Sequence, residues 1–514
     1  VSRIISRIRT KYIANSELDK DYINERLQKA ESALTTGKDT NAFIPSGKDL
    51  VITSRLENSL DQILSYVSDK YNGADLSIYI SALKDLPNKE SDSDEARSLR
   101  RNISKEFYTL YSLVFLAALS DDAPSPVILM FLNFGYIDED LAGIDNAIKL
   151  YKLSVSMQDH TDVGFYTLFD WLKTVYRGKK SPSRDEFETD FADMLHKERI
   201  SHIITEKEEA KRLADPVERV NYELTKMFPN VNKMTYGRIS TFCPIFLKEN
   251  CFKDLEDALV TFGKINAIIN RLKEVDPTLF YRAGVDMEHG GLLGHLPIHR
   301  EYLPDIILMP ITGSHGVMWQ EIEGRKRQSH GRIMLPILFM DSLDTAFIRL
   351  AGEFRWELCK RIQGSRWNDV SDKSLTSEYC DYAQYYRKNR DLSSEAKEKI
   401  KTLLQRSKNS YKEMFLHDYS TWLTYESTGS PRLNKVVRQI LYTYCPFPKR
   451  IDMLLNSNPI YAELINRKNV EAEQHLHLVD NLVKKISNTE YPVPQCLLDE
   501  YTYYEAGDRP SFPS

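Results

Sequence analysis

Five of the chain's eleven histidines, His289, His295, His299, His315 and His330, lie between positions 289 and 330 of a 514-residue sequence. Asp286 and Glu288 share that stretch. Neutral imidazole and carboxylate are the usual ligands of zinc, iron or manganese. Gly290, Gly291 and Gly294 would let the backbone bend so that such side chains converge. The candidate metal ligands are therefore Asp286, Glu288, His289, His295 and His299. Pro297 rules out a continuous helix through His295 and His299, whereas an extended segment would place both on one side. Two simpler roles compete with metal binding. These are turn histidines bonded to backbone, and acid–base or ligand-contacting histidines without metal. The sequence names no cofactor.

A second cluster is basic. Arg325, Lys326, Arg327 and Arg332, with His330, lie between Gly324 and Gly331 or just beyond. A loop tip of this kind can bind phosphate groups, or can keep a strand pair soluble. A third group is Arg349, Glu353, Trp356 and Lys360, which share one helical face opposite the apolar stripe of Phe347 and Phe354. A large aromatic among charges is typical of an interface anchor, unless a second helical layer covers it. Trp367 could extend that surface. The six cysteines include no CxxC and read as small buried hydrophobes in a reducing, cytoplasmic compartment. A paired or metal-bound role for Cys243 and Cys251 is the alternative.

The elements that must position these groups are mostly helices. Polar breaks at 37–49, 88–94, 120–126 and 178–182 divide the first 280 residues. Ser183 to Glu186 reads as a capping box, and Asp215-Pro216 as a cap followed by proline in the first turn. Further helices are expected at about 255–276, 342–364, 393–415 and 433–444, with an extended tail after Tyr491. Residues 284–364 differ, holding ten of the 21 glycines. Their short apolar runs read as strands, and Pro310 and Pro336 demote two of these to edges or extended loops. The fold class is mainly α, multi-layered, with a small mixed α/β or β insert near residues 284–341. The segments are an N-terminal helical part (1–87), a helical domain (95–283), a Gly/His-rich mixed module (284–364), a C-terminal helical domain (365–490) and the tail (491–514).

Composition narrows the function. Lys+Arg 69 against Asp+Glu 74 gives a net charge of −5, which argues against nucleic acid as a partner. The apolar stretches 107–120 and 123–137 are each too short for a bilayer and read as two buried helices joined by a turn. No secretory signal opens the chain, and its first residue, Val1, points to a longer protein. Phosphate-loop, dinucleotide, HExxH and GxSxG motifs are all absent. The near-misses, Gly37-Lys38, Gly47-Lys48, Gly290–Gly294 and Gly313–Gly316, have the wrong spacing. Gly352 to Phe354 echoes a phosphate-binding turn but sits inside a helical stripe. The leading expectation is a cytoplasmic scaffold or regulatory adaptor that works through protein contacts or self-association. The alternatives are a metal-dependent hydrolase or oxidoreductase centred on 284–332, and a nucleotide or nucleic-acid sensor using 325–332.

Overall fold

The computed structural model describes residues 59–86, 93–121, 124–137, 164–183, 189–231, 234, 245–246, 255–285, 293, 296–319, 331–363 and 366–506. In chain order the helices up to the first strand are α1 (Ser59–Tyr66), α2 (Leu76–Asp85), α3 (Asp94–Ser120) and α4 (Pro126–Phe134). Next come β1 (Tyr136–Ile137), β2 (Phe165–Thr167), α5 (Leu168–Tyr176), α6 (Phe191–Ile200), α7 (Glu206–Ala214), α8 (Pro216–Val231) and β3 (Ile245–Phe246). The middle holds α9 (Leu255–Ala258), α10 (Phe262–Val275), β4 (Tyr281–Val285), β5 (Pro297–Glu301), β6 (Asp305–Gly313), β7 (Val317–Trp319) and β8 (Arg332–Phe339). The last third is helical: α11 (Leu343–Gln363), α12 (Leu375–Tyr385), α13 (Ser394–Arg406) and α14 (Tyr411–Thr424). It ends with α15 (Lys435–Tyr444), α16 (Lys449–Leu455), α17 (Pro459–Ser487) and α18 (Gln495–Ala506). The protein is mainly α with a small mixed component. Among the described residues no helix is long and apolar enough to cross a membrane.

The chain divides into two units, Val1–Phe262 with Asp305–Trp319 and Ile333–Ala346, and Gly263–Pro304 with Gln320–Arg332 and Phe347–Ser514. The stretch 284–364 contributes to both.

The first unit carries a four-stranded sheet of order β2-β6-β8-β7. β2 runs parallel to β6, with Phe165, Tyr166 and Thr167 opposite Ile306, Ile307 and Leu308. β6 and β8 are buried along nearly their whole length, the pattern of strands covered on both faces. Pro310 and Pro336 thus lie in interior strands, not at the expected edges. For Pro310 the physical reason is visible. Ile306 donates its N–H to Gly164 on the β2 side, and strand amides alternate. Position 310 therefore also faces the β2 side, where β2 has already ended opposite Leu308. Thr167 links sheet to helix by accepting from the Asp170 N–H at the start of α5. α3, α4 and α8 pack an aromatic core of Phe107, Tyr111, Phe131 and Phe228. α3 and α4 are the two buried helices expected from the apolar stretches.

Helix boundaries depart from expectation in three places within the units. Ser183 caps no described helix. Its N–H and hydroxyl both bond the buried Glu223 carboxylate, which also accepts from Trp171 Nε1. α6 instead starts at Phe191, capped by Asp190. The helix expected at 255–276 breaks between α9 and α10, because Leu259 bridges Leu338 and the Val260 N–H bonds Ile337 O. The helix expected at 393–415 breaks at Lys408 and Asn409, both left-handed, and Ser410 then caps α14. Asp215 does cap α8, accepting from the Val217 N–H at 2.8 Å.

The second unit packs α11 to α18 around buried polar networks. Asp276, at the end of α10, accepts from Arg355 Nη2 at 2.6 and 2.7 Å and from the Tyr419 hydroxyl at 2.6 Å. Glu426 accepts from Arg438 Nε, the Tyr461 hydroxyl and the backbone N–H groups of Arg432 and Leu433. Such networks favour one arrangement of helices, since separating a carboxylate from its cation in the interior would be costly. Arg355 Nε alone of these groups is left without a hydrogen-bond partner. The hairpin β4–β5 is antiparallel, with Ala283 opposite His299. Gly352 lies within α11, so the turn it echoes in sequence is not formed.

Candidate metal centre

The hairpin, α17 and α18 bring together His299, His475 and Glu500. One ligand atom from each lies within 4.8 Å of the others. β5 holds His299 in an extended register. α17 is set by Asn458, which caps Ile460, and by Pro459 in its first turn. Its inward residues Ala472, Leu476 and Val479 recur at helical spacing, and His475 falls on the same face. His477, two residues on, is exposed. α18 turns Cys496, Leu497, Glu500 and Tyr504 inward at helical spacing. Cys496 and Leu497 pack with Leu293, Ile298, Val479 and Ile486, and Tyr504 with Ala472 and Leu476.

Glu500 is fully buried. Its Oε2 lies 3.0 Å from His299 Nδ1 and 3.1 Å from His475 Nε2. Its Oε1 accepts the backbone N–H of His299. Burial opposes the charge, but the hydrogen bonds from His299 and His475 outweigh it and hold the carboxyl below its ordinary range. None of these hydrogen-bond partners is a lysine or arginine. His299 stacks on Tyr503, with ring centroids 3.8 Å apart and planes 5° from parallel. Tyr504 packs edge-on to His299 and tilted against His475. These rings fix both imidazole planes. The imidazoles keep 19% and 16% of their side-chain surface in solvent, so the cluster has an aqueous side.

Two ring nitrogens converging on one carboxylate oxygen can do either of two things. As N–H groups they bond Glu500 directly. As lone pairs they, with the oxygen, can hold a cation. Ligand atoms about 2.0–2.2 Å from a tetrahedral zinc stand about 3.3–3.6 Å from one another. Two edges of the triangle, 3.0 and 3.1 Å, need to open by only a few tenths of an ångström to reach it. A divalent ion would also neutralise a carboxylate that burial otherwise penalises. Two histidines and a glutamate leave a fourth position for water, the arrangement of catalytic zinc sites, and the same donor set suits iron(II).

Of the ligands expected from sequence, His299 is in this cluster. Asp286, Glu288, His289 and His295 lie outside the described residues, as do Cys243, Cys251, His330, Arg325, Lys326 and Arg327. Arg332 is buried at the first position of β8, not on an exposed tip. His315 sits at the turn after β6, where Ser314 Oγ is 2.7 Å from its Nδ1. Trp356 is buried against Phe415, Tyr379 and Trp367 of its own chain. Its neighbours on that face are also engaged internally: Arg349 with Glu413, Glu353 with Lys412, and Lys360 over the Trp367 ring. The second surface needed to cover Trp356 is intramolecular.

Sequence reasoning missed His475 and Glu500. Glu500 lay in a segment expected to be an extended tail, but 495–506 is helical. The i, i+4 spacing of Cys496, Glu500 and Tyr504 was the available signal. Residues 364–503 match a family described as "Domain of unknown function (DUF8509)", a stretch that takes in His475, Glu500 and Tyr503 but not His299. No curated protein and no solved structure matches the chain.

Proposed function

We propose that this protein binds a divalent transition metal, zinc or iron(II), through His299, His475 and Glu500. One observation carries the reading: a fully buried carboxylate oxygen with two imidazole nitrogens at 3.0 and 3.1 Å, supplied by three separate elements. The open fourth position would hold water, the group a metal-dependent hydrolase activates. The test is zinc titration of chelator-treated protein against a chromophoric competitor, with elemental analysis alongside. One zinc per chain is expected, with at least a hundredfold weaker binding in His475→Ala and in Glu500→Gln. Unchanged affinity in both variants would overturn the reading.

A cytoplasmic scaffold or adaptor that acts through protein contacts or self-association is the second reading. The observation in its favour is a set of exposed apolar side chains close in sequence: Met453 (65% exposed) and Leu454 (74%) on α16, and Ile460 on α17. The buried thiols of Cys359, Cys380 and Cys445, none of them in a disulfide, are consistent with a reducing compartment. Sedimentation of wild type and of Met453→Glu/Leu454→Glu over a range of concentrations tests it. Self-association that the double variant loses supports this reading, and a monomer at all concentrations removes the self-association form of it. No observation among the described residues favours the nucleotide or nucleic-acid reading.

A further inference from the structure

We infer that metal occupancy of the His299–His475–Glu500 site controls the docking of α18. This rests on the proposed metal site and adds a regulatory consequence to it. α18 is 12 residues long, a length at which an isolated helix is marginal in water, so its order depends on what it packs against. It packs through Cys496, Leu497 and Tyr504 and through one charged group, Glu500. The surfaces beneath it belong to β5 and α17, and each of these supplies one of the histidines. A cation at the site therefore ties the consecutive helices α17 and α18 to a strand remote in sequence, His299 and Glu500 being 201 positions apart. Without the cation, docking confines a carboxylate whose partners are a backbone amide and two imidazoles. Undocking returns that carboxylate to water but gives up the apolar contacts of Cys496 and Leu497 with Leu293, Ile298, Val479 and Ile486, and of Tyr504 with Ala472 and Leu476. The site thus acts on a short helix held by two small apolar clusters and by the Tyr501 hydroxyl, which donates to Asp480 at 2.7 Å. Short elements with few buried contacts are the kind from which conformational switches are drawn. The docked helix brings Tyr503 onto His299, so the same movement also alters the environment of the imidazole.

The experiment is hydrogen exchange of the full chain with peptide resolution, run with chelator and with saturating zinc, alongside the zinc titration. Exchange at 495–506 is expected to slow at least tenfold with zinc, with a smaller effect at 297–301 and none in α14. Leu497→Ala, which weakens the apolar contact but leaves all three ligands, should raise exchange in chelator and still respond to zinc. Glu500→Gln should bind zinc weakly and lose the zinc-dependent slowing. One zinc bound per chain with unchanged exchange at 495–506 would overturn the docking inference and leave the metal site standing. Absence of zinc binding would overturn both.

Discussion

Replacing Trp356 by alanine should destabilise the helices around it without changing assembly. The side chain is 3% exposed and lies 5.2 Å from Phe415, 6.0 Å from Tyr379 and 6.4 Å from Trp367, centroid to centroid. Burying a tryptophan removes about 200 Å² from water, worth about 5 kcal/mol as an upper bound at 25 cal/mol per Å². Alanine keeps the Cβ, and partial collapse of the cavity recovers some of the rest. The loss should be about 4 kcal/mol, within the range of ~3–5 found for large aromatic truncations. Native-state hydrogen exchange is the suitable assay, because a chain with two units need not unfold in one step. Peptides from α11 and α14 should show opening constants raised about a thousandfold, at 1.4 kcal/mol per factor of ten. Trp356→Phe, which keeps an aromatic at the site, should recover about half of the loss. A change of less than tenfold, together with loss of an oligomer, would refute the reasoning and make Trp356 an intermolecular anchor.

Two further outcomes follow from the buried networks and one from helix packing. Arg355→Met should cost about 3–5 kcal/mol, because it leaves the Asp276 carboxylate buried without its cation. Adding Asp276→Leu and Tyr419→Phe should restore most of it, and a triple variant as unstable as the single one would contradict this in a melting-midpoint comparison. For Glu426, burial raises the carboxyl pKa but bonds from Arg438 and Tyr461 outweigh it, so the folded value lies below the unfolded one. Its contribution is therefore present above the ordinary carboxyl range and lost as pH falls through the folded value. Glu426→Gln should flatten the fall of the melting midpoint between about pH 5 and 3, and an unchanged slope would count against it. At Gly352 an added Cβ would sit 2.8 Å from a Tyr419 ring carbon and 3.1 Å from a Leu416 methyl. Gly352→Val should cost about 1–3 kcal/mol by overpacking α11 against α14, measured as a drop in melting midpoint.

Much of the fold could be read from the sequence, because α10, α11 and α15 carry an apolar stripe at helical spacing, while the second half of α3 and nearly all of α4 are apolar runs. The errors arose where tertiary contacts decide. Leu259 and Val260 continue a helical stripe in sequence, yet they bridge to β8. The αL turn at Lys408–Asn409 has no glycine to announce it. Pro310 was misleading because its effect depends on where a neighbouring strand stops, which no local pattern records. The site was half legible. The histidine cluster led to His299, but the partners come from positions 475 and 500, beyond any spacing rule. The prolines before α18 suggested a tail, although Pro494 only precedes the helix, and its carbonyl accepts the Leu497 N–H.

The central claim is that His299, His475 and Glu500 together hold a metal. Its most direct test is the zinc K-edge absorption spectrum of the full chain loaded with one equivalent of zinc. Zinc held by these three residues should show a four-coordinate shell at about 2.0–2.2 Å with two imidazoles and oxygen ligands, and should lose one imidazole contribution in His475→Ala. A shell containing sulfur, or a spectrum identical in wild type and His475→Ala, would contradict it.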